Sequence, residues 1–163
     1  MAIKAALTGH LVFSSIHTNS AAGVVTRLID MGLERFQVAA TVRLCIAQRL
    51  ARRLCPFCRQ ARKLSTGEAA AVGRPEAAGI TVYEPKAGGC EKCNSRGYLG
   101  RVGLFELLPI DDDLSRLITD GANEVDIIKR ARERKIPGLR DDAAAKLVAG
   151  VTSFDEIIAV SAW

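Results

Sequence analysis

Two C-x-x-C pairs, Cys55-Pro56-Phe57-Cys58 and Cys90-Glu91-Lys92-Cys93, constrain this chain more than any other feature. Each pair puts two sulfurs on one tight turn, and zinc takes four thiolates as a tetrahedron. Thirty-one residues separate the pairs, against about 15–20 in a compact ribbon. The stretch 59–89 must therefore fold as an excursion of its own. With four protein sulfurs as ligands, Cys55, Cys58, Cys90 and Cys93 leave no open position, so the expected Zn2+ is structural. The competing readings are two disulfides or a redox C-x-x-C; two matched pairs disfavour a single redox motif. The fifth cysteine, Cys45, falls on an apolar stripe and reads as a buried core thiol.

The N-terminus bears on the disulfide alternative. Lys4 precedes apolar residues, but Thr8, Gly9 and His10 interrupt the run that a signal peptide needs, which disfavours an oxidising compartment. No stretch approaches 18 consecutive apolar residues, so no transmembrane helix is expected. Apolar residues make up 48% and charged residues 25% of the 163, the ordinary globular balance, which excludes whole-chain disorder or coiled coil. The net charge of +5 is concentrated. From Arg35 to Gly67 there are eight basic residues and no acidic one, whereas 111–163 carries eight basic and eleven acidic. A basic run is a solvated face, a phosphate contact or a site for an acidic partner. Only eight aromatics are present, too few for a base-stacking platform.

Capping and periodicity divide the chain further. Met1 to Leu7 reads as the last turns of a helix closed by Gly9, and Leu11 to Ile16 as a strand. A parallel strand needs neighbours, so the chain is expected to begin inside a larger sheet. Asn19 or Ser20 caps a helix to Met31, with Val24, Val25, Leu28 and Ile29 in a stripe and Gly32 beyond its end. A second helix is expected over 34–54, its stripe Val38, Val42, Cys45, Ile46 and Leu50, ended by Pro56. The loop-rich part between the cysteine pairs holds a helix near 65–72 and a strand over 79–83. Tyr98 to Leu108 reads as a returning strand. Four helices follow: Asp111 to Asp113 opening one to Thr119; 124–135 behind Asn123, with Val125, Ile128 and Ala131 inward; 139–149 ended by Gly150; and one behind Ser153, with Phe154, Ile157 and Ile158 inward.

His10 and His17 bracket the expected strand, and His17 stands at its C-terminal end before a capped helix. In open α/β sheets that position faces the ligand crevice, and a helix N-terminus there suits anions. The alternative is a histidine satisfied by a loop carbonyl. The stretch Leu7-Thr8-Gly9-His10-Leu11-Val12-Phe13-Ser14-Ser15-Ile16-His17-Thr18-Asn19-Ser20-Ala21 resembles the His box of the secretion ATPase superfamily, the hexameric motors of type II secretion and type IV pilus assembly. The resemblance extends through Thr26 to Gly32, Ala47-Gln48-Arg49-Leu50 before the first cysteine pair, and Gly97 to Leu108 after the second. The tetracysteine insertion resembles that of the extension-type motors.

The resemblance implies an α/β fold: an incomplete RecA-like (P-loop NTPase) core remnant with a tetracysteine zinc insertion and a C-terminal helical bundle. The expected division is 1–54 as the C-terminal part of the core, 55–100 as the insertion, and 101–163 as return strand and helical subdomain. It also implies that His17 lies near the γ-phosphate of ATP, that His10 supports the strand, and that Thr18 and Asn19 shape the loop. ATP and Mg2+ belong to the complete motor, as do a homo-hexamer and a platform at the cytoplasmic face of the inner membrane. The phosphate-binding G-x-x-x-x-G-K-[ST] loop is missing, since none of fourteen glycines precedes a lysine. No apolar strand ends in an acidic pair for magnesium. The chain is accordingly expected to be the C-terminal part of such an ATPase, inactive by itself, with no nucleic acid as partner. The alternatives are a stand-alone zinc ribbon binding nucleic acid, or a regulatory subunit of the ring.

Overall fold

Helix ends fall largely where the capping residues put them. The computed structural model describes residues 2–161. Helix α1 (Ala2–Leu7) is followed by Gly9 at φ +90°. Helix α2 (Ala21–Asp30) starts behind Ser20, whose Oγ accepts from Gly23 N–H. Its end is closed by Gly32 at φ +89°, with Leu33 N–H donating to Leu28 O at 3.3 Å, the bond of a Schellman cap. Asp111 and Asn123 cap α5 (Asp112–Thr119) and α6 (Glu124–Glu133) as expected.

Two segments depart from expectation. Residues 11–16 form no strand; Leu11 and Phe13 are 83% and 88% exposed, and the described strands pair only with one another. A β-strand's backbone groups need a ladder, and without one the extended stretch has nothing to hold it as a strand. The expected helix 34–54 also breaks. Helix α3 (Arg35–Thr41) stops at Val42, which is extended at φ −74° and ψ 126°, and β1 (Leu44–Leu54) follows. Thr41 and Val42 are β-branched neighbours, stiff at χ1 and poor helix formers. From there burial alternates with period two: Cys45, Ala47 and Ala51 point in, while Leu44, Ile46 and Leu50 are exposed. Cys45 is therefore a buried thiol, as expected, but on a strand.

The remaining elements are β2 (Gln60–Lys63), α4 (Thr66–Ala71), β3 (Thr81–Glu84), β4 (Tyr98–Pro109), α7 (Leu139–Val148) and α8 (Phe154–Ser161). Strand β1 pairs with β4, and β2 with β3. The second pair is antiparallel, with Gln60 opposite Glu84 and Lys63 opposite Thr81. Among the described residues no helix is long and apolar enough to cross a membrane.

The chain divides into two units. The first comprises Met1–Ala47 and Glu106–Pro137. Its core gathers Val25, Val38, Cys45, Leu114, Ile118 and Ile127. The expected inward face of α6 needs correction. Val125 is 71% exposed and Ile127 is fully buried; two residues are about 200° apart around a helix, so both cannot face the core. Ile128 and Ala131 pack against that core as expected.

The second unit comprises Gln48–Phe105 and Gly138–Trp163. Its core joins Leu64, Val72, Val82, Leu104, Leu147 and Ile157. Ile157 is buried and Phe154 packs against it, whereas Ile158, expected inward, is exposed. The four C-terminal helices thus divide, α5 and α6 with the first unit and α7 and α8 with the second.

Gly150 ends α7 at φ +67°, and a Cβ there would stand 2.4 Å from Tyr83 Cδ2. Both the left-handed backbone and the aromatic ring exclude a side chain. Gly150→Ala should lower stability by about 1–3 kcal/mol, read from the urea midpoint at unchanged slope.

Candidate metal centre

Strand β1 delivers Cys55 one residue past its end, and the chain turns at once. Cys58 N–H donates to Cys55 O at 3.3 Å and Arg59 N–H to the same oxygen at 3.0 Å. The second pair sits on a one-turn 3-10 helix, Glu91–Cys93, closed by Asn94 at φ 50° and Ser95 at φ 59°. Two glycines let the loop fold this tightly. A Cβ on Gly89 would stand 2.4 Å from the Ser95 carbonyl carbon, and one on Gly97 2.6 Å from Pro85 Cβ.

The four sulfurs converge. Their Sγ atoms all lie within 4.8 Å of one another. Cys55 and Cys90 are 3.8 Å apart, Cys58 and Cys93 3.9 Å, and Cys90 and Cys93 3.8 Å. A tetrahedron with a metal–sulfur length of about 2.3 Å has edges of about 3.8 Å, so the donor set fits a metal ion. None of the five cysteines forms a disulfide.

Backbone amides set the thiols apart. Cys90 N–H and Gly97 N–H each donate to Cys93 Sγ at 3.2 Å. Desolvation pushes the Cys93 thiol up, but these donations outweigh it and bring it down to about 6. Desolvation, reinforced by the neighbouring sulfurs, pushes Cys58 up to about 12. One thiolate is thus ready at neutral pH, while another must shed its proton when a metal arrives. Cys45 stands apart from this set. Burial, with the Glu106 carboxylate nearby, pushes its thiol up to about 12, the behaviour of an inert core cysteine.

The other expected site residues lie on the segment leading into α2. His10 and His17 are both exposed. His10 Nδ1 lies 3.0 Å from Thr8 Oγ1 and 3.2 Å from Ala5 O. Thr18 Oγ1 donates to Ser20 O at 3.1 Å, and Asn19 is exposed. The structure brings the four cysteines together and leaves the histidines unassembled.

The sequence reading missed what holds α2. Ser20 Oγ donates to Glu124 Oε1 at 2.5 Å and Ala21 N–H to Glu106 Oε2 at 3.3 Å. It also missed Arg52, whose Nε donates to the buried Glu156 at 2.8 Å while its guanidinium lies 4.1 Å from the Tyr98 ring centroid. Glu106 and Glu124 stand more than eighty residues from their partners and leave no local signal.

An α/β chain whose paired cysteines converge on a four-sulfur set that could hold a metal ion fits the class of cysteine-bearing insertions in larger α/β proteins. The particular class follows from its relatives: the chain belongs to the type II/IV secretion system protein family, whose pattern matches residues 1–159. It is 45% identical over 161 residues to the type II secretion system protein E of Dickeya dadantii, covering 99% of this chain and 31% of that protein. It is 42% identical over 159 residues to the type IV pilus assembly ATPase PilB of Myxococcus xanthus, covering 96% and 28%. The chain thus spans about a third of the length of the curated relatives it matches. Among solved structures, the pilus retraction motor PilT with bound ADP superposes at a TM-score of 0.63 with 18% identity, over 98% of this chain and 35% of that one. That likeness is one of fold.

Cys55→Ser or Cys90→Ser should empty the centre, read as lost metal by elemental analysis of the purified chain. Cys45→Ala should leave metal content unchanged and cost only about 1 kcal/mol. Metal uptake at pH 7 should release protons, and affinity, already falling with pH because Cys58 holds its proton, should fall more steeply below about 6, where Cys93 also takes one up. Calorimetric titrations in buffers of different ionisation enthalpy check the release.

Proposed function

We propose that this chain is the C-terminal part of a hexameric motor ATPase that powers type II secretion or type IV pilus extension. The observation that carries the reading is the four-sulfur centre, set in a chain that aligns almost end to end with proteins of both systems. In this reading the metal is structural Zn2+, since four sulfurs are its preferred closed set and leave no position for substrate. Residues 1–54 belong to an incomplete RecA-like core, 55–100 to the zinc insertion, and 101–163 to the return strand and the C-terminal helices, which divide between the two units.

His17 then serves near the γ-phosphate of ATP as a sensor or aligner, with His10 supporting its segment and Thr18 and Asn19 shaping the loop. Phosphoryl transfer depends on positioned backbone amides, a lysine and magnesium. None of the fourteen glycines opens a phosphate loop. The α2 N-terminus offers no replacement, because its first N–H groups already donate to Ser20 and Glu106, with Glu124 against Ser20. Two carboxylates at that end oppose an anion. The residues present do not form an ATP and Mg2+ site alone, so the chain is inactive until joined to a P-loop half.

The complete assembly is a ring on an inner-membrane platform at the cytoplasmic face. Nucleic acid is not a partner in this reading, since Arg52, Arg59 and Arg62 are committed to internal contacts. Incubating the purified chain with ATP and Mg2+ should give no phosphate release above buffer in a malachite-green assay. Nucleotide-dependent release by the zinc-loaded chain would overturn the inactivity. Failure to co-assemble with a full-length relative on size exclusion would overturn membership of the ring.

A further inference from the structure

The cysteine turns share their hydrogen bonds with the connection between α7 and α8. Immediately before Cys55, Thr152 Oγ1 donates to Arg52 O at 2.8 Å and Leu54 N–H to Val151 O at 2.9 Å. Arg52 N–H donates to Glu156 Oε2 at 2.8 Å, and its Nη2 to Oε1 at 2.5 Å. Immediately after Cys58, the Arg59 guanidinium donates to Gly150 O while lying 4.1 Å from the Tyr83 ring centroid. The second cysteine turn joins the same network. Cys55 N–H donates to Gly97 O at 3.0 Å, Gly97 N–H donates to Cys93 Sγ, and Tyr98 Oη lies 2.8 Å from Ser153 Oγ.

Segment 150–156 therefore meets the residues flanking both cysteine turns, and it does so with buried groups. Thr152, Ser153 and Glu156 are buried polar side chains packed within five positions. Thr152 and Glu156 bond the Arg52 backbone only while it keeps its place, whereas Ser153 also accepts from Glu156 N–H within its own segment. A buried polar group that loses its partner bears its full desolvation cost. Four crowded thiols with no cation offer one another only weak hydrogen bonds and, once ionised, repel. Loosening the turns would strip Thr152 and Glu156 of their partners, so clamped turns and seated α7–α8 support each other.

We propose that metal occupancy of the four-cysteine centre and the seating of α7–α8 are one linked equilibrium. The link runs through Arg52–Glu156, Thr152 and Arg59–Gly150. This rests on the metal reading of the centre. It goes beyond that reading by giving the metal control over a helix pair whose own sequence holds no ligand. Linkage is reciprocal: whatever factor metal contributes to seating the helices, seating contributes to metal affinity.

The test uses the full chain and zinc itself, in competition with a chromophoric chelator. Thr152→Val keeps the side-chain shape and removes the bond to Arg52; Glu156→Gln weakens the ion pair. Both should lower zinc affinity by about five-fold or more, although neither residue is a ligand. Arg134→Ala, which breaks an ion pair with Asp111 in the first unit, should leave it unchanged. Hydrogen exchange should show α7–α8 amides losing protection on zinc removal, with α5–α6 little affected. Wild-type zinc affinity in Thr152→Val, or unaltered exchange in α7–α8, overturns the linkage while leaving the metal reading intact. A wild-type chain that takes up no zinc overturns both. Should Glu156→Gln fail to fold, Thr152→Val and the exchange experiment still decide.

Discussion

Four sulfurs within 4.8 Å of one another are the contact on which the second unit depends. Nothing in thiol chemistry brings four such groups together unaided, because they are weak donors and weak acceptors. The backbone does it, through a 3-10 turn, two residues with positive φ and two glycines that admit no side chain. A metal held there would close a loop of thirty-one intervening residues. Closure entropy grows only slowly with loop length, so a long excursion costs little more than a short one. The excursion also contributes its own core, with Leu64, Ala69, Val72 and Val82 packed together. A metal in the centre would fix its two ends and leave its interior to ordinary apolar packing.

The positive charge sits in the same unit. Thirteen basic and eight acidic residues fall in Gln48–Phe105 and Gly138–Trp163, against ten of each in the rest, so the whole excess of +5 belongs there. Much of it is engaged. Arg52 holds Glu156, Arg59 reaches Gly150 O, and Arg62 bonds both Glu68 and Glu84. The hydrogen bond to Glu68 raises the Arg62 guanidinium against desolvation, and the same pair holds the Glu68 carboxyl down to about 2. These arginines act as long-reach hydrogen-bond donors that join sequence-distant backbone. Guanidinium suits that task, being planar, multidentate and always charged. Part of the basic run in the sequence therefore records internal wiring.

Features with a local cause were legible in the sequence. Ser20, Asp111 and Asn123 cap helices because a side-chain oxygen three residues upstream of a free N–H is a purely local device. The cysteine quartet was legible because spacing alone encodes the turns. The misreadings share another cause. Leu44 to Leu54 is built from good helix formers, yet it pairs with β4, far along the chain; tertiary pairing overrides propensity. Residues 11–16 have strand composition and no described ladder to join. Val125 and Ile127 were exchanged because two apolar residues on opposite sides of a helix look alike until the partner helix is known. Glu106, Glu124 and Glu156 were invisible for the same reason, their roles being set by residues about a hundred positions away.

The same contrast bears on how the two histidines relate to the proposed motor. A histidine that senses phosphate needs a cradle of donors around the anion, because a single exposed imidazole discriminates little between phosphate and water. In this chain the nearest ready-made donors, the first N–H groups of α2, are turned inward to Ser20 and Glu106. That choice stabilises the helix, since a carboxylate at an N-terminus complements the dipole, and it keeps the approach to Ser20 negative. The helix end that anchors the His17 segment is thus built for holding, and the donors that would bind phosphate in the proposed role must come from elsewhere in the ring. In the proposed motor, positioning and anion binding, which a phosphate-loop helix combines at one terminus, would fall to different parts of the assembly.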